Sequence, residues 1–190
     1  MSEHTINTYL AQRRSRIGFD PNKPVSEVDM HALLEAARWS PSGGNGQPWS
    51  YVVGYKGDVT YDKLYALLMP GNQGWAQRAT VLALSVAQVV RIASDGTRQP
   101  NRTALYDLGM ANMSIAVEAT ERGLNLRMMG GYNYAAAKQM VDAETNGYDL
   151  GPIMAIGWLG DPTELPEDLI KRDTAPRTRK PLEELFLKIE

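Results

Sequence analysis

The sequence predicts an α+β sandwich, helices packed around one sheet of about four strands. Two observations predict it. Segments with apolar residues at helical spacing alternate with short β-branched and aromatic runs at 49–55, 81–86, 124–128 and 151–158, and such interleaving builds one layered core. The chain has 190 residues, which suits one such core and makes 1–190 a single domain.

Taken in order, residues 5–12 predict a short helix with Ile6, Tyr9 and Leu10 on one face. Arg13-Arg14-Ser15-Arg16 follows, then an irregular stretch through Gly18-Phe19-Asp20-Pro21 to Pro24. Three arginines so close together form either a solvated face or, beside a serine at a helix end, a phosphate clamp. Ser26-Glu27-Val28-Asp29 is a capping-box-like start, and Val28, Leu33, Leu34, Ala36 and Ala37 supply a helical stripe as far as Trp39. His31 reads as a surface or packing residue of that helix. The strand 49–55 and a turn at Gly57-Asp58 lead to a helix over 61–69, ended by Pro70-Gly71.

Asn72-Gln73-Gly74-Trp75 reads as a polar and aromatic loop before the buried strand 81–86, and 92–100 as a polar connection. The longest helix spans 102–122, with Leu105, Leu108, Ile115 and Ala119 in one stripe and Gly123 as its stop. Its small residues Gly109, Ala111, Ser114 and Ala116 admit close helix packing, within the core or across a subunit interface. Strand 124–128, the turn Met129-Gly130-Gly131-Tyr132, a helix over 135–141 and strand 151–158 complete the core. The tail after Asp161 is polar and broken by prolines until a short helical pattern at 182–189. With so little apolar content, 162–190 is expected to extend onto a partner chain.

Composition narrows the chemistry. Twenty Lys and Arg against 22 Asp and Glu give a formal charge of −2, which offers no electrostatic footprint for nucleic acid. With no cysteine, disulfides, thiol catalysis and Cys-ligated metals are excluded, and His4 and His31 alone do not build a metal site or triad. The N-terminus has no apolar core of a signal peptide, and 81–90, interrupted by Ser85 and Gln88, is too short and polar to span a bilayer. A soluble cytoplasmic protein is expected, its chemistry supplied by a bound organic cofactor.

The stretch Pro41-Ser42-Gly43-Gly44-Asn45-Gly46-Gln47-Pro48-Trp49 is the most informative. Its three glycines and two prolines forbid a continuing helix. Ser42, Asn45 and Gln47 can each donate and accept hydrogen bonds. Such a loop either caps its own backbone or lets the main chain approach a planar, heteroatom-rich ligand while amides read its edge.

Four separated motifs carry a family resemblance: Arg13-Arg14-Ser15 followed by Phe19; Ser40-Pro41-Ser42 with Asn45 and Gln47-Pro48-Trp49; Asn72 before a strand with Gly130-Gly131-Tyr132 after one; and Arg177-x-Arg179-x-Pro181. In this order and spacing the chain resembles the FMN-dependent nitroreductase family of NAD(P)H nitroreductases and flavin reductases. The resemblance implies a nitroreductase-like α/β/α sandwich around a mostly antiparallel sheet, and a homodimer whose C-terminal tails wrap the partner. FMN is implied at the subunit interface.

By that resemblance, Arg13, Arg14, Ser15, Arg177 and Arg179 surround the ribityl phosphate and one end of the ring. Pro41, Ser42, Gly43, Asn45 and Gln47 line the isoalloxazine from the other subunit, and Asn72 bonds the pyrimidine edge. The Gly130 and Gly131 amides lie near flavin N5. The implied reaction is ping-pong transfer from NAD(P)H to a nitroaromatic or quinone, without a protein acid or base. Dehalogenation, heterocycle oxidation and non-catalytic flavin binding are the alternatives on the same fold. Two positions depart from the family pattern: Ile17 and Trp75 stand where basic residues are usual. The usual cation is then either absent or supplied by Arg16, and Trp75 is expected to narrow the site or stack on a substrate.

Overall fold

The computed structural model describes residues 5–187, so His4 and the end of the helix expected at 182–189 lie outside the described residues. Its centre is a four-stranded antiparallel sheet in the order β1-β2-β6-β5, formed by β1 (Trp49–Tyr55), β2 (Val81–Gln88), β5 (Leu124–Met129) and β6 (Tyr148–Trp158). β1 and β2 pair from Trp49↔Ala87 to Tyr55↔Val81, and β5 pairs β6 from Leu124↔Trp158 to Met129↔Ile153.

The apolar run of β2 faces two cores in alternation. Leu82, Leu84 and Val86 meet α3 (Val59–Leu67), α4 (Pro70–Ala76) and α6 (Tyr134–Met140) through Leu64, Trp75 and Ala137. Val81 and Ala83 meet α2 (Glu27–Arg38) and α5 (Ala104–Glu121) through Leu33, Ala111 and Ile115. Helices therefore cover both faces of the sheet, giving the expected α/β/α sandwich. Coverage on both faces is why this strand reads as a continuous apolar run. A Cβ built on Gly54 of β1 would fall 2.2 Å from the Tyr61 amide nitrogen, so only glycine lets α3 press this close to the strand.

Local signals set the helix ends. The Ser26 hydroxyl accepts the Asp29 amide at 3.0 Å as the cap of α2, and Gly123 takes φ +75° after α5. Within the stripes, Val28 (74% exposed) and Leu105 (48%) face outward, contrary to expectation. A loop was expected at 72–75, but Pro70 occupies the first turn of α4, where its missing N–H costs nothing. The 92–100 connection is part of a hairpin, β3 (Val90–Ile92) with β4 (Arg98–Pro100). Its exposure on both faces erases the alternation that marks a strand.

α1 (Thr8–Gln12) precedes these elements, and α7 (Ala143–Asn146) precedes β6. The tail departs most from expectation. α8 (Glu167–Thr174) interrupts it, and Leu165 and Asp173 are buried in the chain's own core. Beyond Asp173 every described residue is exposed, Phe186 at 71%. Among the described residues no helix is long and apolar enough to cross a membrane.

Candidate functional site

The two ends of the chain build a cationic cavity. Arg13, Arg14, Ser15 and Arg16, after α1, face Arg172, Asp173, Ala175, Pro176, Arg177 and Arg179, from the end of α8 onward, across about 270 Å³. Main-chain carbonyls hold the walls. Arg177 donates to the carbonyls of Arg13, at 2.7 Å, and Ala11, while Arg14 donates to that of Ala175 at 2.7 Å.

Arg13 reaches the Ser15 hydroxyl at 3.2 Å. Its guanidinium is held below its usual pKa first by burial and then by the charges of Arg177 and Arg179. The lining includes one carboxylate, Asp173, which is committed: its oxygens accept Arg16 Nε at 2.6 Å and the Ile17 amide at 2.5 Å. Arg16 is therefore locked in an ion pair with a fully buried side chain, and does not serve as the expected substitute cation. The remaining arginines repel one another, a state that a multiply charged anion relieves.

A second cluster joins the end of β5 to α4. Asn72 Nδ2 donates to the Gly131 carbonyl at 2.9 Å, and the Met69 amide donates to the same oxygen at 3.1 Å. A Cβ on Gly131 would crowd Asn72 Nδ2 at 3.0 Å, while one on Gly130 would meet nothing within 4 Å. The surface above Gly130 is thus open to a flat molecule.

Trp75 does not fill the role expected of it. It is 0% exposed, stacks on Phe19 at 6.2 Å between ring centroids, and cannot reach a substrate. Over its face, 5.4 Å from the ring centroid, lies the guanidinium of Arg127, which also donates to the Ser15 carbonyl. Sequence reasoning missed Arg127. Its one signal was a lone charge inside an apolar strand, two residues before Met129.

The loop 41–49 is built as a single 3-10 turn, Gly43–Asn45, fastened from behind by α5. The Gly43 amide donates to Asp107 Oδ2 at 3.2 Å, and the Gln47 amide to the Ser42 hydroxyl at 3.0 Å. Asn45 (φ 55°) and Gln47 (φ 43°) both lie in the left-handed region, uncommon for residues with side chains. None of Pro41, Ser42, Gly43, Asn45 or Gln47 lines the cationic cavity.

Topology explains the separation. The loop enters β1, at one edge of the sheet, and the glycine turn leaves β5, at the other. Three strand spacings, about 14 Å, lie between those edges. One chain thus gathers Arg13, Arg14, Ser15, Arg177 and Arg179 in one cavity and Asn72 with Gly131 in a second cluster, and holds the loop apart.

The nitroreductase family model matches residues 10–71 and 61–158, which include three of the four motifs. The chain belongs to the nitroreductase family. A Mycolicibacterium smegmatis relative, an uncharacterized 15.4 kDa protein, is 30% identical over 146 residues, covering 71% of this chain and 92% of its own. The major NAD(P)H-flavin oxidoreductase of Aliivibrio fischeri is 44% identical over 50 residues, 26% of this chain and 23% of that protein. The chain spans only about a quarter of the length of such curated relatives, 24% and 23% for two of them. A solved structure described as an oxidoreductase containing FMN superposes with a TM-score of 0.92 at 32% identity, covering 99% of this chain and 93% of that one.

Proposed function

We propose that this chain is an FMN-dependent oxidoreductase, active as a homodimer and using NAD(P)H to reduce a flat, electron-poor acceptor such as a nitroaromatic or quinone. The observation that carries this reading is the cavity of six arginines from both chain ends whose one carboxylate is already taken by Arg16 and Ile17. A phosphate dianion is the chemical complement of such a cavity. The donor set fits flavin mononucleotide: Arg13, Arg14, Ser15, Arg177 and Arg179 would hold its phosphate. Asn72 would meet its pyrimidine edge, and the open surface at Gly130 would take the ring. Bound there, a flavin supplies two-electron exchange, with donor and acceptor using one face in turn.

The chain's own work is binding and placement. The Asn72–Gly131 hydrogen bond fixes the glycine turn, and the absence of a side chain at Gly130 keeps its amide accessible. The loop 41–49 would serve the site of a partner subunit, since its own glycine turn sits across the sheet. The outer side of α5 supports that assembly: Tyr106 (77% exposed), Met110 and Met113 form apolar surface that the chain leaves uncovered. No side chain is required as acid or base, which suits a chain without cysteine.

Purification and anaerobic stopped-flow test the proposal. The protein is expected to be yellow, to elute as a dimer, and to bleach within seconds on mixing with NADH or NADPH. Reoxidation by a quinone should then proceed with ping-pong kinetics. Bleaching by dithionite but by neither nicotinamide would refute the enzymatic reading. Failure to bind FMN would refute the cofactor.

A further inference from the structure

A second cavity shares no residue with the one built by the two chain ends. It is larger, about 730 Å³, and lies beside the β3–β4 hairpin where β1 starts, β2 ends and β6 starts. Trp49 and Tyr148 give it aromatic surface, and Arg91 and Arg98 of the hairpin give it two positive charges. Among the described residues no carboxylate lines it, and neither arginine has an ion-pair partner.

Both guanidinium groups are anchored. Arg91 donates to Asn101 Oδ1 at 2.8 Å and to the Gly43 carbonyl at 3.4 Å, and Arg98 donates to the Thr145 carbonyl at 3.3 Å. The hairpin that carries them is fixed at its root. The Val89 and Val90 amides both donate to the Gly147 carbonyl, at 2.9 and 3.2 Å, and the Asn101 amide donates to that of Val89 at 2.7 Å. A Cβ on Gly147, at φ +68°, would fall 2.6 Å from that of Val90, so glycine alone lets the hairpin sit this close.

These acceptors are all neutral, and they use only part of each five-donor fork. Water can solvate exposed arginines, but two of them fixed on one concave, partly aromatic wall match an anionic group carried on a flat ring.

We propose that this cavity is a second anion site, taking a planar aromatic ligand that bears a carboxylate or phosphate, with Arg91 and Arg98 setting its specificity. Gly46, Gln47 and Pro48 of the loop 41–49 also line it. The site stands on the cavity alone. That its ligand is the enzyme's own electron donor or acceptor rests on the reading above, in which this loop serves a flavin in a partner subunit. Two sources then supply the chemistry: a carboxylated acceptor, or the 2′-phosphate of a nicotinamide dinucleotide.

Calorimetric titration of the full chain, with FMN supplied, tests this with two matched pairs: 4-nitrobenzoate against 4-nitrobenzamide, and NADP⁺ against NAD⁺. In wild type the more anionic member of at least one pair is expected to bind about tenfold tighter, the scale of one hydrogen bond to a charged group. The pair that shows the preference identifies the source. A variant carrying both Arg91→Gln and Arg98→Gln should bind the two members alike while retaining FMN.

Equal affinities within both pairs in wild type overturn the inference, and so does a preference that survives in the double variant. If that variant does not fold, Arg98→Gln alone, which gives up the hydrogen bond to the Thr145 carbonyl, carries the comparison. It should lose part of the preference, and an unaltered preference there is equally decisive against the site. Protein that takes up no FMN defeats the flavin reading, whereas these titrations need no turnover and still decide the anion site.

Discussion

The Asp173 carboxylate accepts the Ile17 amide at 2.5 Å, tying the last helix to the segment that follows the first. Its other oxygen neutralises Arg16, so one buried side chain closes the cavity across 156 residues of sequence. Replacing Asp173 with alanine strands a partly buried guanidinium and an amide at once. The expected loss is about 3 kcal/mol of stability, read as a lower urea midpoint. Released from this tie, the arginine-bearing tail should also become more sensitive to protease.

Arg179 gives the cleaner test of the phosphate assignment. Within the described chain its guanidinium donates to the Thr178 carbonyl at 2.7 Å, next to it in sequence, so truncating it costs the fold little. Arg179→Ala is expected to weaken FMN binding by about 1.5–3 kcal/mol, the scale of a hydrogen bond to a charged group. Added salt should narrow the gap between variant and wild type. Fluorescence titration at two ionic strengths measures both effects, and equal affinities would move the phosphate elsewhere.

Trp75 behaves as a core residue with one flaw: its indole Nε1 is buried without a hydrogen-bond partner. Trp75→Ala should cost about 3–5 kcal/mol, the usual range for emptying a large aromatic site. Trp75→Phe loses some contact area but removes the stranded donor, whose burial itself costs about 1–3 kcal/mol. The phenylalanine variant is therefore expected to lie much nearer wild type than the alanine variant. Thermal unfolding of the pair separates the packing contribution from that of the donor.

The same residue shows where sequence reading stops. Ser26 as a cap, Gly123 as a stop and the β2 run were legible because local chemistry alone determines them. Trp75 was misplaced because its burial depends on Phe19, 56 positions away in the sequence. A motif position says which residue stands there, not which way it faces. α4 was hidden by Gly71 and Gly74, which suggest a loop, and the hairpin by its exposure on both faces. Arg13, Arg177 and Arg179 could be paired only through the resemblance, since nothing local relates the two chain ends. Arg127 stood out only as a lone charge in an apolar strand, because its contacts, the Ser15 carbonyl and the Trp75 ring, are distant in the chain.

Acid should expose a different weak point. Asp58 caps α3, accepting the Tyr61 amide at 2.6 Å and the Tyr55 amide at 2.8 Å. Those hydrogen bonds, the Tyr61 one foremost, hold its carboxyl below the usual 3.8. Because the folded value lies below the unfolded one, the contribution is fully present above the unfolded value and is lost as pH falls through the folded one. Asp58→Asn keeps one acceptor and has no charge to lose. The stability difference between wild type and this variant is therefore expected to be constant near about pH 6 and to shrink toward about pH 3. Urea midpoints at the two conditions decide it: a difference that persists in acid would mean that the cap acts through shape and not through charge.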